Sequence, residues 1–242
     1  MQIISELIKY HWQQYLKTNK FVMPFAALII MLYTIYSSKP VGVVDSLTSS
    51  CLFVFLIASW IGISACALED PASEQVIILK IKSHKKYYFN HTLFLVSLSA
   101  VTALISTVVP ILINLSNGGR LFNRSLLFSD SISGFLLLFL SSFLGCTLGE
   151  LSHPRMIQDR KSALLIIFFI DIVSVIKTAL LTSFPILKLI LWIVPPISLV
   201  PTAFTNSKYF MWKTTALASA VLILYSCILA FLKIMLLSKR KF

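Results

Sequence analysis

Apolar residues gather into six runs, at 21–37, 51–68, 88–115, 131–151, 163–182 and 212–237, with short polar stretches between them. Runs of roughly 17 to 25 residues match the length of α-helix that crosses ~30 Å of hydrocarbon at 1.5 Å per residue. The pattern predicts an all-α polytopic membrane protein, one transmembrane domain over 1–242 with six transmembrane helices. A further apolar stretch, 184–204, is broken by Pro185, Pro195, Pro196 and Pro201. With Leu187, Leu189, Ile190, Leu191 and Trp192 it is too apolar for a wet loop and too interrupted for a span. It is expected to enter one leaflet and return as a re-entrant segment. The alternative is five or seven spans, depending on that broken stretch.

A different helix precedes the first run. Glu6, Lys9, Gln13, Lys17 and Lys20 recur at steps of three and four, and Ile4, Leu7, Ile8, Trp12, Tyr15 and Leu16 fill the remaining positions. This predicts an amphipathic helix over 1–20 lying in the membrane interface and anchoring the first span. The striped start also lacks the short basic and apolar regions of a cleavable signal peptide.

The stretch 70–82, after the second run, is predicted to be a short helix. Asp70 followed by Pro71 is a helix-start signal, since proline suits the first helical position and aspartate accepts from orphan N–H groups. Glu69, Asp70 and Glu74 suit the positive end of the helix dipole, and Lys80 and Lys82 the negative end. Val76, Ile77, Ile78, Leu79 and Ile81 make it too apolar to float free, and it is too short to span. It either docks into a groove on a soluble partner or lies in the interface with its lysines snorkelling.

Within the runs, small residues recur every four positions: Ala58, Gly62 and Cys66; Ser99, Ala103 and Thr107; Ser141, Gly145 and Gly149. Such tracks let helix backbones approach closely in lipid, where apolar burial provides no driving force. The fifth run holds two intramembrane polar residues, Asp171 and Lys177, which lie about 240° apart around an ideal helix and so are poor mutual partners. An acid inside a span points to function, an interhelical hydrogen bond or a polar path. Lys177 is placed to snorkel outward.

Composition agrees with the pattern: 57% of residues are hydrophobic, 12% charged, and the mean hydropathy is +0.88. The basic residues fix an orientation. Lys9, Lys17, Lys20, Lys80, Lys82, Lys85, Lys86, Arg155, Arg160, Lys161, Lys239, Arg240 and Lys241 fall on one side of the six runs. Lys39, Arg120, Arg124, Lys188, Lys208 and Lys213, about half as many, fall on the other. The positive-inside rule makes the richer side cytoplasmic and puts both termini there. The net charge of +12 then reads as topology and attraction to anionic lipid, not nucleic-acid binding.

Chemistry-bearing motifs are sparse. Cys51, Cys66, Cys146 and Cys227 lie in apolar runs without CxxC or Cys/His spacing, and are expected to pack as small apolar residues. No phosphate loop, HExxH or GxSxG occurs. His11, His84, His91 and His153 are scattered over the basic ends without ligand spacing. Neither a cofactor nor a metal is expected, and the chain does not read as an enzyme.

The interfacial helix, six spans, short helix after the second span and broken segment before the last together resemble the permease subunits of ABC-2 type transporters. The resemblance is one of layout and covers the whole chain. It implies a coupling helix at 70–82 that seats in a separate ABC ATPase subunit, with Glu69, Asp70, Glu74 and Ile78 as the coupling positions. It also implies a dimer with a second permease copy, identical or a sister, in a bacterial cell membrane. Small stand-alone permeases of this kind are similar to exporters and immunity pumps for bacterial peptides, which implies a peptide or amphipathic substrate. The competing reading is an ATP-independent channel, secondary carrier or membrane scaffold that uses Asp171.

Overall fold

The computed structural model describes residues 2–68, 70–205 and 207–239, with side chains from Ile4 onward. The chain is all-helical, without a strand among the described residues: α1 (Gln2–Lys17), α2 (Val22–Ser37), α3 (Val43–Cys66), α4 (Pro71–Ile81), α5 (His84–Ser116), α6 (Phe128–Gly149), α7 (Arg160–Ser183), α8 (Lys188–Leu191), α9 (Leu199–Ala203) and α10 (Trp212–Lys239). A 3₁₀ turn, Glu150–Ser152, extends α6, and another, Pro185–Leu187, follows α7. The helices α3, α5, α6, α7 and α10 are each long and apolar enough to cross a membrane. A sixth candidate is the pair α1 and α2, bent by 78°. Asn19 makes that corner in the left-handed region at φ 52, where asparagine is at home. This is a multi-pass helical membrane protein.

Two expected boundaries shift. The second span begins at Val43 rather than 51, because the polar stretch before it folds as helix. Ser46 donates to Val43 O at 3.1 Å, Thr48 to Val44 O at 2.9 Å and Ser50 to Ser46 O at 2.7 Å. Each hydroxyl is thereby satisfied by its own helix, so polarity does not stop it. The amphipathic helix ends at Lys17 and packs by one face onto α5, with His11 and Tyr15 buried and Trp12 donating to Ser97 Oγ at 2.9 Å. Residues 184–204 hold no helix of spanning length. Ile197, Val200 and Phe204 are buried in the bundle while Ile186, Leu189 and Trp192 face outward.

The closest contact in the bundle is between α3 and α6. A Cβ on Gly62 would lie 2.3 Å from Cys146 O, one on Gly145 2.2 Å from Phe55 O, and one on Gly149 2.1 Å from Ser59 O. Backbone therefore meets backbone, and the small-residue tracks of the second and fourth runs close on each other within one chain. The α5 helix joins the same centre through Thr102 Oγ1 and Ser142 Oγ, 2.9 Å apart. By contrast α7 and α10 lie outside, with large apolar side chains such as Leu165, Phe168, Leu217 and Phe231 exposed. At the far end of the bundle from α4, the two loops meet as Val41 pairs with Leu121 and Asn123.

Gly145→Ala is expected to destabilise the bundle by about 1–3 kcal/mol, the usual cost of overpacking. Thermal unfolding in detergent checks this, with Leu217→Ala on the outward face as the control that stays near wild type.

Candidate functional site

Start and stop signals in the sequence place α4 where the structure has it. Asp70 accepts from Ala72 N–H at 3.4 Å, Pro71 occupies the first helical position, and Lys82 turns left-handed at φ 59 while its N–H reaches Ile78 O. The sequence pattern does not say which face of it turns inward. Glu74 and Ile78, four residues apart, share the inward side, and Ile78 packs with Tyr87, Tyr88 and Leu237. The side chains offered outward are Val76 and Leu79, 65% and 74% exposed. Of the expected coupling positions only Asp70 is exposed, and Glu69 lies outside the described residues.

A carboxylate turned into a bundle needs donors, and Glu74 has them. Arg155 Nη2 lies 2.9 Å from its Oε2, and Tyr88 OH donates to its Oε1 at 2.9 Å. Arg155 Nη1 in turn donates to Tyr88 OH at 2.7 Å. His153 Nε2 stands 3.8 Å from Glu74. Burial pushes the His153 imidazole down to about 3, and the charges of Lys233, His91 and Arg155 push the same way. These contacts clamp α4 to α5 and to the segment that follows α6.

A second layer lies deeper. Glu150, on the 3₁₀ turn that ends α6, is fully buried and takes both Lys233 of α10 and His91 of α5 on its Oε1. Lys233 Nζ and His91 Nδ1 are 3.2 Å apart. The His11 ring of α1 meets His91 edge-on at 5.0 Å, and Cys66 of α3 donates to Glu150 O at 3.3 Å. Side chains of α5 and α10 thus meet on one buried carboxylate of α6, while α1 and α3 pack against His91 and the Glu150 backbone. A cavity of about 30 Å³ separates the layers and is lined by Glu74, Tyr88, His91, His153, Arg155 and Lys233. That volume admits about two water molecules. Sequence reasoning missed this cluster because its members lie 59, 83 and 142 positions apart. The available signal was an acid and a lysine inside spans, each without a partner on its own helix.

The two polar residues of α7 do not pair with each other. Lys177, buried, donates to Val194 O at 2.7 Å and sits 5.7 Å over the Tyr225 ring. It therefore does not snorkel to the surface but ties α7 to the broken segment, helped by Thr178 donating to Ser198 Oγ at 2.7 Å. Asp171 is 5% exposed, and its Oδ1 has no hydrogen-bond partner.

The charge cluster is built of groups that pair with one another, with Glu150 Oε2 left without a hydrogen-bond partner. Among the described residues no group of three or more His, Cys, Asp or Glu is placed to hold a metal ion. Comparison with family models, curated proteins and solved structures finds no match.

Removing one member of a buried pair strands the other. Lys233→Met is expected to cost about 3–5 kcal/mol by leaving Glu150 short of its cation. Adding Glu150→Gln to it should recover most of that loss, which a double-mutant cycle on denaturant unfolding measures.

Proposed function

We propose that the chain is the membrane-spanning permease subunit of an ATP-driven exporter of the ABC-2 type. The observation that carries this reading is α4: a short helix at the lysine-rich end, anchored by Glu74 and Ile78, with Val76 and Leu79 exposed. An apolar pair at the surface of a helix with so firm a root suits a groove on a soluble partner. The α1–α2 corner, the six candidate crossings and the broken 184–204 segment support the same reading, the last as a re-entrant piece. The lysine-rich end is then cytoplasmic by the positive-inside rule, with both termini there, in a bacterial cell membrane.

In this mechanism two such subunits, identical or sister, bind two ATPase subunits. ATP-driven closure pushes α4. The push passes through Glu74 to Arg155 and Tyr88, and so to α5 and the segment beyond α6. There it meets the layer in which Glu150 holds α10 by Lys233. A peptide or amphipathic substrate leaves along the moving interface. ATP hydrolysis belongs to the partner, and no cofactor is assigned to this chain.

The unpartnered Oδ1 of Asp171 favours one second reading, an ATP-independent carrier that works through that carboxyl. Transport persisting after ATP depletion is its signature.

Val76→Asp combined with Leu79→Asp tests the proposal at the exposed face while leaving Glu74 in place. The tagged chain purified from its native membrane should bring ATP hydrolysis with it. The double variant should lose at least ten-fold of that activity, with insertion and melting temperature unchanged. A folded wild-type chain that brings no ATPase, or a double variant that keeps it, contradicts the proposal.

A further inference from the structure

The outer surface of α7 borders a groove of about 620 Å³ that opens sideways, toward lipid. Leu56 and Trp60 of α3 form one wall and Leu164, Leu165 and Phe168 of α7 the other, with Asp171 at one end. These walls are almost entirely apolar, so the acid is the one feature that an alkyl chain alone leaves unsatisfied. Asp171 is 5% exposed and its Oδ1 accepts no hydrogen bond. Ser59 faces it from α3 and is, among the described residues, the one neutral donor near the carboxyl, at a geometry too poor to satisfy Oδ1. The cation on the same helix, Lys177, is committed to Val194 O. A carboxyl group in an apolar setting with one oxygen left unpartnered is costly, and a site that keeps one is suited to receive a donor from elsewhere.

We infer that this groove binds a single-chain amphiphile whose ammonium N–H donates to Asp171 and whose alkyl chain covers the apolar walls. Depth selects the occupant. Asp171 lies eleven residues into α7 from Arg160, about 16 Å along the helix. A phospholipid ammonium is held at the bilayer surface by its phosphate and does not reach that level. An alkylammonium carries no phosphate, and the cost of bringing its charge to that depth is offset by pairing with Asp171. From Asp171 the walls run back to Leu164, about 10 Å along the helix, which gives the chain a track toward the lysine-rich end. Quaternary ammonium groups are excluded because they carry no N–H to donate. The site does not depend on the ATP-driven reading, since an ATP-independent carrier would present the same groove.

Trp60 makes the site observable. The full-length protein in phosphatidylcholine nanodiscs is titrated with dodecylammonium brominated at its chain terminus, a short-range quencher of tryptophan. Saturable quenching is expected in the wild type and should vanish in Trp60→Phe. Asp171→Asn, which keeps shape and removes charge, should raise the midpoint at least ten-fold. On the wild-type protein alone, unlabelled dodecylammonium should displace the probe while dodecanol and dodecanoate do not, which keeps the test decisive if the Asn variant folds poorly. Equal binding by Asp171→Asn overturns the inference, as does equal displacement by dodecanol. Displacement by phosphatidylethanolamine mixed into the nanodisc also overturns it, by assigning the groove to a membrane lipid.

Discussion

The bundle depends on one close approach, the contact of the α3 and α6 backbones at Gly62, Gly145 and Gly149. In lipid, apolar side chains gain little by leaving their surroundings, so helices must associate through tight packing and polar contacts. Glycine at these positions lets carbonyl oxygens of one helix sit where side chains would otherwise stand. Two buried acids are then placed relative to this pair. Glu150 directly follows Gly149, so the approach that locks α6 against α3 also fixes where the buried carboxylate sits. Ser59, whose carbonyl touches Gly149, offers its side chain to the opposite neighbour, Asp171.

Two kinds of buried acid result, and they behave differently. Glu150 and Glu74 are each paired with a cation from elsewhere in the bundle, although Glu150 Oε2 has no hydrogen-bond partner, and these pairs link α4 to α10 through two layers of charge. Such pairs are expensive to desolvate and more expensive to break, so they serve better as fixed linkages than as sources of stability. Asp171 has no such supply at Oδ1 and faces an apolar groove. The linkage at the lysine-rich end and the partly unfilled acceptor at mid-span are thus separate parts of the bundle.

Much of the architecture was legible in the pattern of apolar runs, because a bilayer demands long uninterrupted helices and the chain supplies them at 131–151, 163–182 and 212–237 to within three residues at each end. The α4 helix was legible too, since Asp70, Pro71 and Lys82 are local signals acting on a local structure. The start of α3 was not, because Ser46, Thr48 and Ser50 look like loop residues until their hydroxyls are seen bonding back into the helix. The facing of Glu74 was hidden for a related reason: an acid on a short helix reads as exposed unless its distant partners Tyr88 and Arg155 are known. The Glu150, His91 and Lys233 cluster was least legible, since it is assembled by tertiary packing alone.

In the proposed topology α4 and both termini share one side of the membrane, with the broken segment on the other. Site-directed labelling with a membrane-impermeant maleimide, on a background with Cys51, Cys66, Cys146 and Cys227 replaced, tests this directly. Lys80→Cys and Lys239→Cys should react only from the cytoplasmic side, and Arg120→Cys and Lys188→Cys only from outside. Lys80→Cys and Lys239→Cys reacting from opposite sides would contradict it.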